Sequence, residues 1–284
     1  MSNLTMATVT SADGTRISYD SVGEGPPLVL VAGATQHRAI DETTPMLQAL
    51  LAGGGFRVIN YDRRGRGESG DTLPYAPERE FEDLGALVAA AGGEAAVFGM
   101  SSGAILAVEA AARGVPMSSL VLYEPPCLLD HDGPEPIADY LETIDGFVAA
   151  GRPGDAMAYF LEVAGGMPPQ AIEQFRASPA WPGFEAVGHT IGYDGRIMDP
   201  FARGEPIPPG RWDAATQPTL VIAGGDSPAW MQRAAATVAA ALPSADFRTL
   251  PGQTHQFDPA VLAPVMLEFA RRAPDWRAVP GAAW

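Results

Sequence analysis

A sharp turn between a buried strand and a helix is the feature of residues 94–113 that most restricts the fold. The run Glu94-Ala-Ala-Val-Phe-Gly99 is apolar and β-prone, and Ala104–Arg113 has an alanine-rich helical pattern. Between them stands Gly99-Met-Ser-Ser-Gly103, whose two glycines permit a tight turn and a close approach of helix to strand. In this context a G-x-S-x-G run holds its serine in strained backbone above the sheet. Ser101 is therefore the predicted nucleophile.

The order of elements along the chain predicts an α/β fold. Short apolar runs alternate with longer helical patterns, which is typical of a parallel sheet covered by helices on both faces. Besides the strand before Ser101, the buried strands are predicted at Pro27–Gly33, Phe56–Asp62, Leu120–Glu124 and Thr219–Ala223. The turn signal Ala12-Asp13-Gly14 between β-prone runs predicts an antiparallel hairpin at the start of the chain.

The pattern is interrupted between Pro125 and about Pro218, where no strong buried strand appears. Helical stretches separated by proline and glycine are predicted there at Asp139–Ala150, Gly154–Val163, Pro169–Ala177 and Phe184–Ile191. This segment is interpreted as an inserted helical cap. The predicted organisation is a core formed by residues 1–125 and 218–284, with a cap at residues 126–217.

Charge and cysteine content narrow the function classes. The chain has no lysine and 18 arginines against 34 acidic residues, for a formal net charge of -16. This balance disfavours nucleic acid and anionic membranes as partners, and the absence of lysine excludes Schiff-base and Ser-Lys chemistry. The single cysteine, Cys127, cannot form an intramolecular disulfide and is expected to be a buried thiol. Since no secretion signal or membrane-helix pattern is seen, a cytoplasmic protein is expected.

A serine nucleophile needs a histidine base, and usually a carboxylate that orients the histidine. His255 follows a late strand and precedes the final helix, where the chain order serine, acid, histidine places the base. Asp226 directly follows the run Leu220–Gly225, at the carboxyl end of a buried strand, and is the predicted acid. The alternative acid is Glu124, which ends the neighbouring strand and is otherwise interpreted as the start of the cap.

Acyl transfer also requires hydrogen-bond donors for the developing oxyanion. One predicted donor is the backbone N–H of Ser102, at the amino end of the helix after the nucleophile. The second is predicted in the loop after the strand that ends near Val31, where Ala34 follows Gly33. Both assignments rest on the fold and the chain order, because a backbone donor cannot be read from side-chain identity.

Five segments in a fixed order carry a resemblance to a known family: Val29–Thr35, Tyr61–Ser69, Gly99–Gly103, Pro218–Asp226 and Gly252–His255. Together they resemble the α/β-hydrolase superfamily over about residues 7–272. The resemblance implies an eight-stranded, mostly parallel sheet, a helical cap before the acid strand, and a triad of Ser101, Asp226 and His255. For residues 62–69 it implies a structural turn.

One departure from the family lies in the loop that should supply an oxyanion donor. Many relatives have His-Gly where this chain has Ala32-Gly33, and the family histidine usually supports the loop through its side chain. The resemblance therefore leaves the detailed geometry of this loop open.

Several side chains are possible substrate contacts. His37, close after the predicted oxyanion loop, either lines the pocket or lies in a surface loop. In the cap, helix packing is the alternative to substrate contact. The candidate residues there are Trp181, Phe184, His189 and Tyr193.

These residues predict a serine hydrolase that needs no cofactor or metal and cleaves an ester or related acyl bond of a small, largely apolar substrate. The same triad would also serve acyl transfer, carbon–carbon or thioester hydrolysis, or a tailoring step in natural-product assembly. A non-catalytic ligand-binding protein is the alternative of another class, which three intact triad residues disfavour. Ser101 argues against epoxide or carbon–halogen cleavage, for which relatives use an aspartate nucleophile. The oligomeric state is left open.

Overall fold

A computed structural model describes residues 4–129 and 133–272 of the chain. The outermost residues of the predicted core, 1–3 and 273–284, and residues 130–132 of the predicted cap lie outside this part. Within it, no helix is both long and apolar enough to cross a membrane.

In the described part of the chain, eight strands form one sheet in the order β1-β2-β4-β3-β5-β6-β7-β8. The strands are β1 (Thr5–Thr10), β2 (Arg16–Val22), β3 (Pro27–Val31), β4 (Arg57–Tyr61), β5 (Ala95–Met100), β6 (Met117–Tyr123), β7 (Thr219–Gly224) and β8 (Ala245–Leu250). Strand β2 pairs antiparallel with β1 and with β4, and the other pairs are parallel. The predicted opening hairpin and the mostly parallel eight-stranded sheet are confirmed.

Helices cover both faces of the sheet because the central strands are apolar on both faces. In β3, Val29 and Val31 join one buried cluster, and Leu28 and Leu30 join another on the opposite face. The helices packed on the first face are α2 (Pro77–Ala91), α3 (Ser102–Ala112) and α9 (Ala229–Ala240). Those on the second face are α1 (Thr43–Gly53) and α10 (Pro259–Arg272). Every residue of β3 is buried, as a strand between two helical layers requires.

Among the described residues between β6 and β7, five α-helices lie within the segment predicted as the cap. They are α4 (Tyr140–Ala149), α5 (Pro153–Val163), α6 (Pro169–Arg176), α7 (Trp181–Ala186) and α8 (Ile191–Met198). Ile144, Met157 and Trp181 form part of a separate buried cluster in these helices. The segment therefore has a small core of its own, although the boundaries 126 and 217 stay predictions.

The prediction of one helix over residues 184–191 is wrong. Helix α7 ends at Ala186, Gly188–Thr190 forms a 3₁₀ turn, and α8 begins at Ile191. At Gly188 the backbone approaches the carbonyl oxygen of Pro153 so closely that a Cβ atom would collide with it. The close approach to α5 therefore leaves no room for a side chain at residue 188, where the chain passes from α7 to α8.

The end of the predicted cap segment packs into the main core. Phe201 and Trp212 are fully buried in the cluster on the first face of the sheet. The Trp212 indole N–H donates to Glu109 Oε1 of α3 over 2.7 Å. Cys127, just after β6, lies in the same cluster, and burial raises the pKa of its thiol.

Candidate active site

Ser101 occupies the predicted turn between β5 and α3. Its backbone has φ 57° and ψ -127°, in the left-handed region that a residue with a side chain rarely adopts. The Ser101 N–H donates to Tyr123 O over 2.9 Å, and Ser101 O accepts from the Ala104 N–H over 2.9 Å. A Cβ at Gly103 would lie 2.5 Å from Ala32 O, so the glycine lets the turn approach β3. These contacts hold Ser101 at the carboxyl end of the sheet.

His255 lies in the loop between β8 and α10, as predicted, and is oriented by a buried carboxylate. Its Nδ1 is 2.8 Å from Oε2 of Glu124, whose side chain is 0 % exposed. The second oxygen, Glu124 Oε1, accepts the Gly224 N–H over 2.6 Å. Because a carboxylate only accepts hydrogen bonds, this contact assigns the proton of neutral His255 to Nδ1 and leaves Nε2 as the basic nitrogen.

The prediction that Asp226 orients His255 is therefore corrected to Glu124. Asp226 is exposed, and its backbone N–H donates to Gln253 O over 2.9 Å. Glu124 follows β6, which pairs directly with β5 and so ends beside the strand that leads into Ser101. Its φ of 44° turns the chain away from the strand direction, while its N–H still donates to Ile222 O over 2.9 Å. This backbone turn places the carboxylate between β7 and His255.

The predicted oxyanion loop lies next to the nucleophile. A Cβ at Gly33 would be 3.0 Å from the Ser101 Cβ, and the Gly33 N–H donates to Gln36 Oε1 over 2.8 Å. Ser102 is the first residue of α3, a position at which the backbone N–H has no partner within the helix. Ala34 is half-buried beside this turn. Their service as oxyanion donors stays a prediction.

A buried ionic cluster contacts this loop through hydrogen bonds to its carbonyl oxygens, and the sequence analysis did not identify it. Arg63 and Arg66, from the turn at residues 62–69, both pair with Asp194 of α8. Arg63 also pairs with Glu80 of α2. The family resemblance implies only a structural turn at residues 62–69, and no local pattern indicates that Asp194, far along the chain, pairs with it. The four side chains are at most 5 % exposed.

His189 and Tyr193, two of the possible substrate contacts in the predicted cap, both contact the core. Tyr193 stacks on Tyr75 with ring centres 3.8 Å apart, and its hydroxyl donates to Asp71 Oδ2 over 2.7 Å. His189 Nε2 lies 3.8 Å from the same carboxylate oxygen. These contacts fasten α8 and the preceding turn to the loop before α2. Substrate contact by His189 or Tyr193 stays a prediction.

Trp181 and Phe184 lie on α7 and differ in exposure. Trp181 is buried within the separate hydrophobic cluster of these helices, and its ring stands perpendicular to that of Phe175 with 5.5 Å between ring centres. Phe184 is half-buried against the same phenylalanine at 5.0 Å. His37, in the loop beyond Ala34, is buried, and burial lowers the pKa of its imidazole. Packing explains the burial of Trp181, and contact with substrate stays a prediction for all three.

Comparison with known proteins supports the relationship indicated by the sequence. A model of the alpha/beta hydrolase family matches residues 28–277. No curated protein matches the chain. Two solved structures, 25% and 22% identical to this chain, have the same fold. One is a hydrolase from Pseudomonas aeruginosa, with 25% identity, 93% of this chain and 97% of that chain covered, and a TM-score of 0.66. The other is a thermophilic esterase from Thermogutta terrifontis, with 22% identity, 95% and 99% covered, and a TM-score of 0.68.

A more similar structure is that of an alpha/beta hydrolase from Sphaerobacter thermophilus. It is 47% identical, with 93% of this chain and 99% of that chain covered, and its TM-score is 0.83. The sheet order, the turn at Ser101 and the position of His255 agree with this relationship. The chain therefore belongs to the alpha/beta hydrolase family.

Proposed function

We propose that this protein is a serine hydrolase that cleaves an ester or related acyl bond of a small, largely apolar substrate through an acyl-enzyme. The observation that carries the proposal is the pairing of His255 Nδ1 with the buried Glu124 carboxylate, beside a strained turn that presents Ser101. A histidine held by a carboxylate and a serine on such a turn are the parts that nucleophilic catalysis by a hydroxyl requires.

In the first half-reaction, the Ser101 Oγ attacks the acyl carbon while His255 Nε2 accepts the hydroxyl proton. The carbonyl oxygen becomes an oxyanion, to which the N–H groups of Ala34 and Ser102 donate. His255 then passes the proton to the leaving oxygen, and the bond to the leaving alcohol breaks. The alcohol departs and the acyl group stays on Ser101. Glu124 remains ionised and compensates the positive charge on the imidazolium.

In the second half-reaction, water replaces the alcohol. His255 accepts a proton from water, the hydroxide attacks the acyl carbon, and a second oxyanion forms at the same donors. Collapse of this intermediate breaks the bond to Ser101 Oγ, which recovers its proton from His255. The products are the carboxylic acid and the free enzyme, so the cycle consumes one water per ester.

The experiment that tests the proposal combines a substrate panel with a covalent probe. Short and long acyl p-nitrophenyl esters, thioesters and lactones are incubated with the wild-type protein, and a fluorophosphonate adduct is located by peptide mass spectrometry. We expect turnover of at least one acyl substrate and an adduct on Ser101. An adduct at another residue, or no turnover across the panel, would contradict the proposal.

Substrate selection by the cap gives a separate prediction. Gly183 of α7 lies so close to Ile40 that a Cβ there would be 2.8 Å from Ile40 Cγ2, so α7 covers the loop that follows Ala34. Phe184→Ala removes a half-buried apolar ring from this helix. Since an apolar contact contributes about 1–3 kcal/mol to discrimination, we expect the ratio of kcat/KM between long and short acyl esters to change by about 5- to 150-fold.

The control is Phe247→Ala, which removes an exposed ring on β8. The control should leave the kcat/KM ratio unchanged, and fluorophosphonate labelling of Ser101 should persist in both variants. Equal ratios in the wild-type protein and a folded Phe184→Ala variant would show that this part of the cap does not select the acyl group.

A further inference from the structure

Asp194 is a charged residue of the predicted cap that pairs with two buried arginines of the core. It lies on α8, is 4% exposed, and accepts hydrogen bonds from Arg63 Nη1 over 2.6 Å, from Arg66 Nη2, and from Ser102 Oγ over 2.6 Å. Burial by itself would raise the pKa of this carboxyl, but the charges of Arg63 and Arg66 and the Ser102 hydroxyl hold it below its usual value. Asp194 therefore carries its negative charge at neutral pH.

Besides pairing with Asp194, both arginines donate hydrogen bonds to the loop after β3. Arg66 Nη1 donates to Gly33 O over 2.6 Å, and Arg63 Nη1 donates to Ala32 O over 3.3 Å. Gly33 O and the Ala34 N–H belong to the same peptide group. Because that group is planar and trans, a hydrogen bond that fixes its oxygen also fixes the direction of its N–H. A charged donor on the oxygen also polarises the peptide, which strengthens the N–H as a donor.

The other predicted oxyanion donor is attached to the same carboxylate. The Ser102 hydroxyl donates to Asp194 Oδ1, so the first residue of α3 is held by its side chain while its backbone N–H stays available. We infer that Asp194 is a positioning residue for both oxyanion donors, through Arg66 for the Gly33–Ala34 peptide and directly for Ser102. The inference rests on the proposed function, and Asp194 itself does not touch the reacting atoms.

The charge balance of the cluster explains why the carboxylate is needed. Glu80 accepts two hydrogen bonds from Arg63, both over 2.7 Å, and Asp194 bridges Arg63 to Arg66. Burial and the neighbouring charge of Arg63 both lower the pKa of Arg66. Neutralising Asp194 leaves two buried guanidinium groups with one carboxylate, and their repulsion displaces Arg66 from Gly33 O.

A matched control exists in the same turn. Arg64 forms two hydrogen bonds with the buried carboxylate of Asp83, over 2.8 and 2.7 Å. Its remaining bonds go to Arg79 O and to Asp13, away from the loop at residues 32–34. Asp83→Asn therefore removes a buried carboxylate charge that pairs with an arginine, and it leaves the contacts of the proposed oxyanion donors unchanged.

The test compares Asp194→Asn, Asp83→Asn and Ser102→Ala in the full-length protein. We expect Asp194→Asn to lower kcat by about 10- to 100-fold while KM changes by less than about threefold, since oxyanion donors act mainly in the transition state. The rate of fluorophosphonate labelling should fall by a similar factor, because phosphonylation of Ser101 also develops an oxyanion. Asp83→Asn should keep kcat within about twofold of wild type although both variants lower Tm.

Hydrogen exchange of the amides at residues 32–36 supplies a readout that requires no catalysis. We expect faster exchange there in Asp194→Asn and not in Asp83→Asn. Equal kcat losses in the two variants, a loss confined to KM, or unchanged exchange at residues 32–36 would overturn the positioning role. If Asp194→Asn does not fold, Ser102→Ala decides, because it removes one hydrogen bond and no charge. Its kcat should fall by about 3- to 10-fold, and an unchanged kcat would overturn the inference.

Failure of the proposed function produces a different pattern. In that case the wild-type protein neither turns over an acyl substrate nor carries the fluorophosphonate on Ser101, whatever the exchange rates show. Failure of the positioning role leaves the wild-type protein active and labelled at Ser101, with Asp194→Asn and Asp83→Asn behaving alike.

Discussion

We expect the replacement of Ser101 by alanine to lower kcat for every ester that the wild-type protein cleaves by a factor on the order of 10⁴ to 10⁶, because the proposed acyl-enzyme can no longer form. The residual rate should come from substrate binding and the oxyanion donors, which act on attack by water. Steady-state rates with p-nitrophenyl esters measure the loss. Circular dichroism should show wild-type secondary structure, since alanine tolerates φ 57° no worse than serine.

The adjacent serine provides the matched control for this prediction. Ser102 lies one residue on, but its hydroxyl is buried and donates to Asp194, so it does not face a substrate. Ser102→Ala should therefore retain the fluorophosphonate adduct on Ser101, whereas Ser101→Ala should give no adduct at either position. If a folded Ser101→Ala variant kept most of its activity, the nucleophile would have to be another group.

The second large effect is expected at Glu124. Glu124→Gln should lower kcat by about 10³- to 10⁴-fold, because an amide in this position selects the wrong histidine tautomer. The Gly224 N–H occupies Glu124 Oε1 and will retain the amide oxygen of glutamine. The amide NH₂ then faces His255 Nδ1, which must accept a hydrogen bond instead of donating one. The proton moves to Nε2, so His255 cannot take the proton of Ser101.

Asp226→Asn is the matched comparison, since it removes a carboxylate charge at the end of the neighbouring strand. Asp226 is exposed, so this substitution should change kcat by less than about twofold. The two variants are compared by kcat at saturating ester, and the tautomer of His255 by ¹⁵N NMR of the imidazole. A larger loss in Asp226→Asn than in Glu124→Gln, with both proteins folded, would restore Asp226 as the acid.

Arg63 and Arg66 contact the loop whose detailed geometry the family resemblance leaves open. Ala32 stands where many relatives have a histidine that supports the oxyanion loop. In this protein, Arg63 donates to the carbonyl oxygen of Ala32 and Arg66 to that of Gly33. The turn at residues 62–69 therefore contacts this loop through two arginines, and Asp194 of α8 pairs with both of them.

Features encoded in short, continuous segments could be predicted from the sequence. The turn at Ser101 depends on two glycines within five residues, and the buried strands depend on apolar runs that any two-sided parallel sheet requires. The loop position of His255 follows from the strand before it and the helix after it. In each case the physical cause, backbone sterics or local burial, acts over a few neighbouring residues.

Contacts between distant segments required the folded structure. Both Glu124 and Asp226 end buried strands and precede His255, so chain order allows either acid. The choice depends on the order of strands, with β6 beside β5, and on the backbone turn at Glu124. The bond from Ser102 to Asp194 likewise joins residues 92 positions apart. Side-chain contacts across a sheet, and charge pairing between α8 and the turn at residues 62–69, arise only when the elements pack, so no local pattern encodes them.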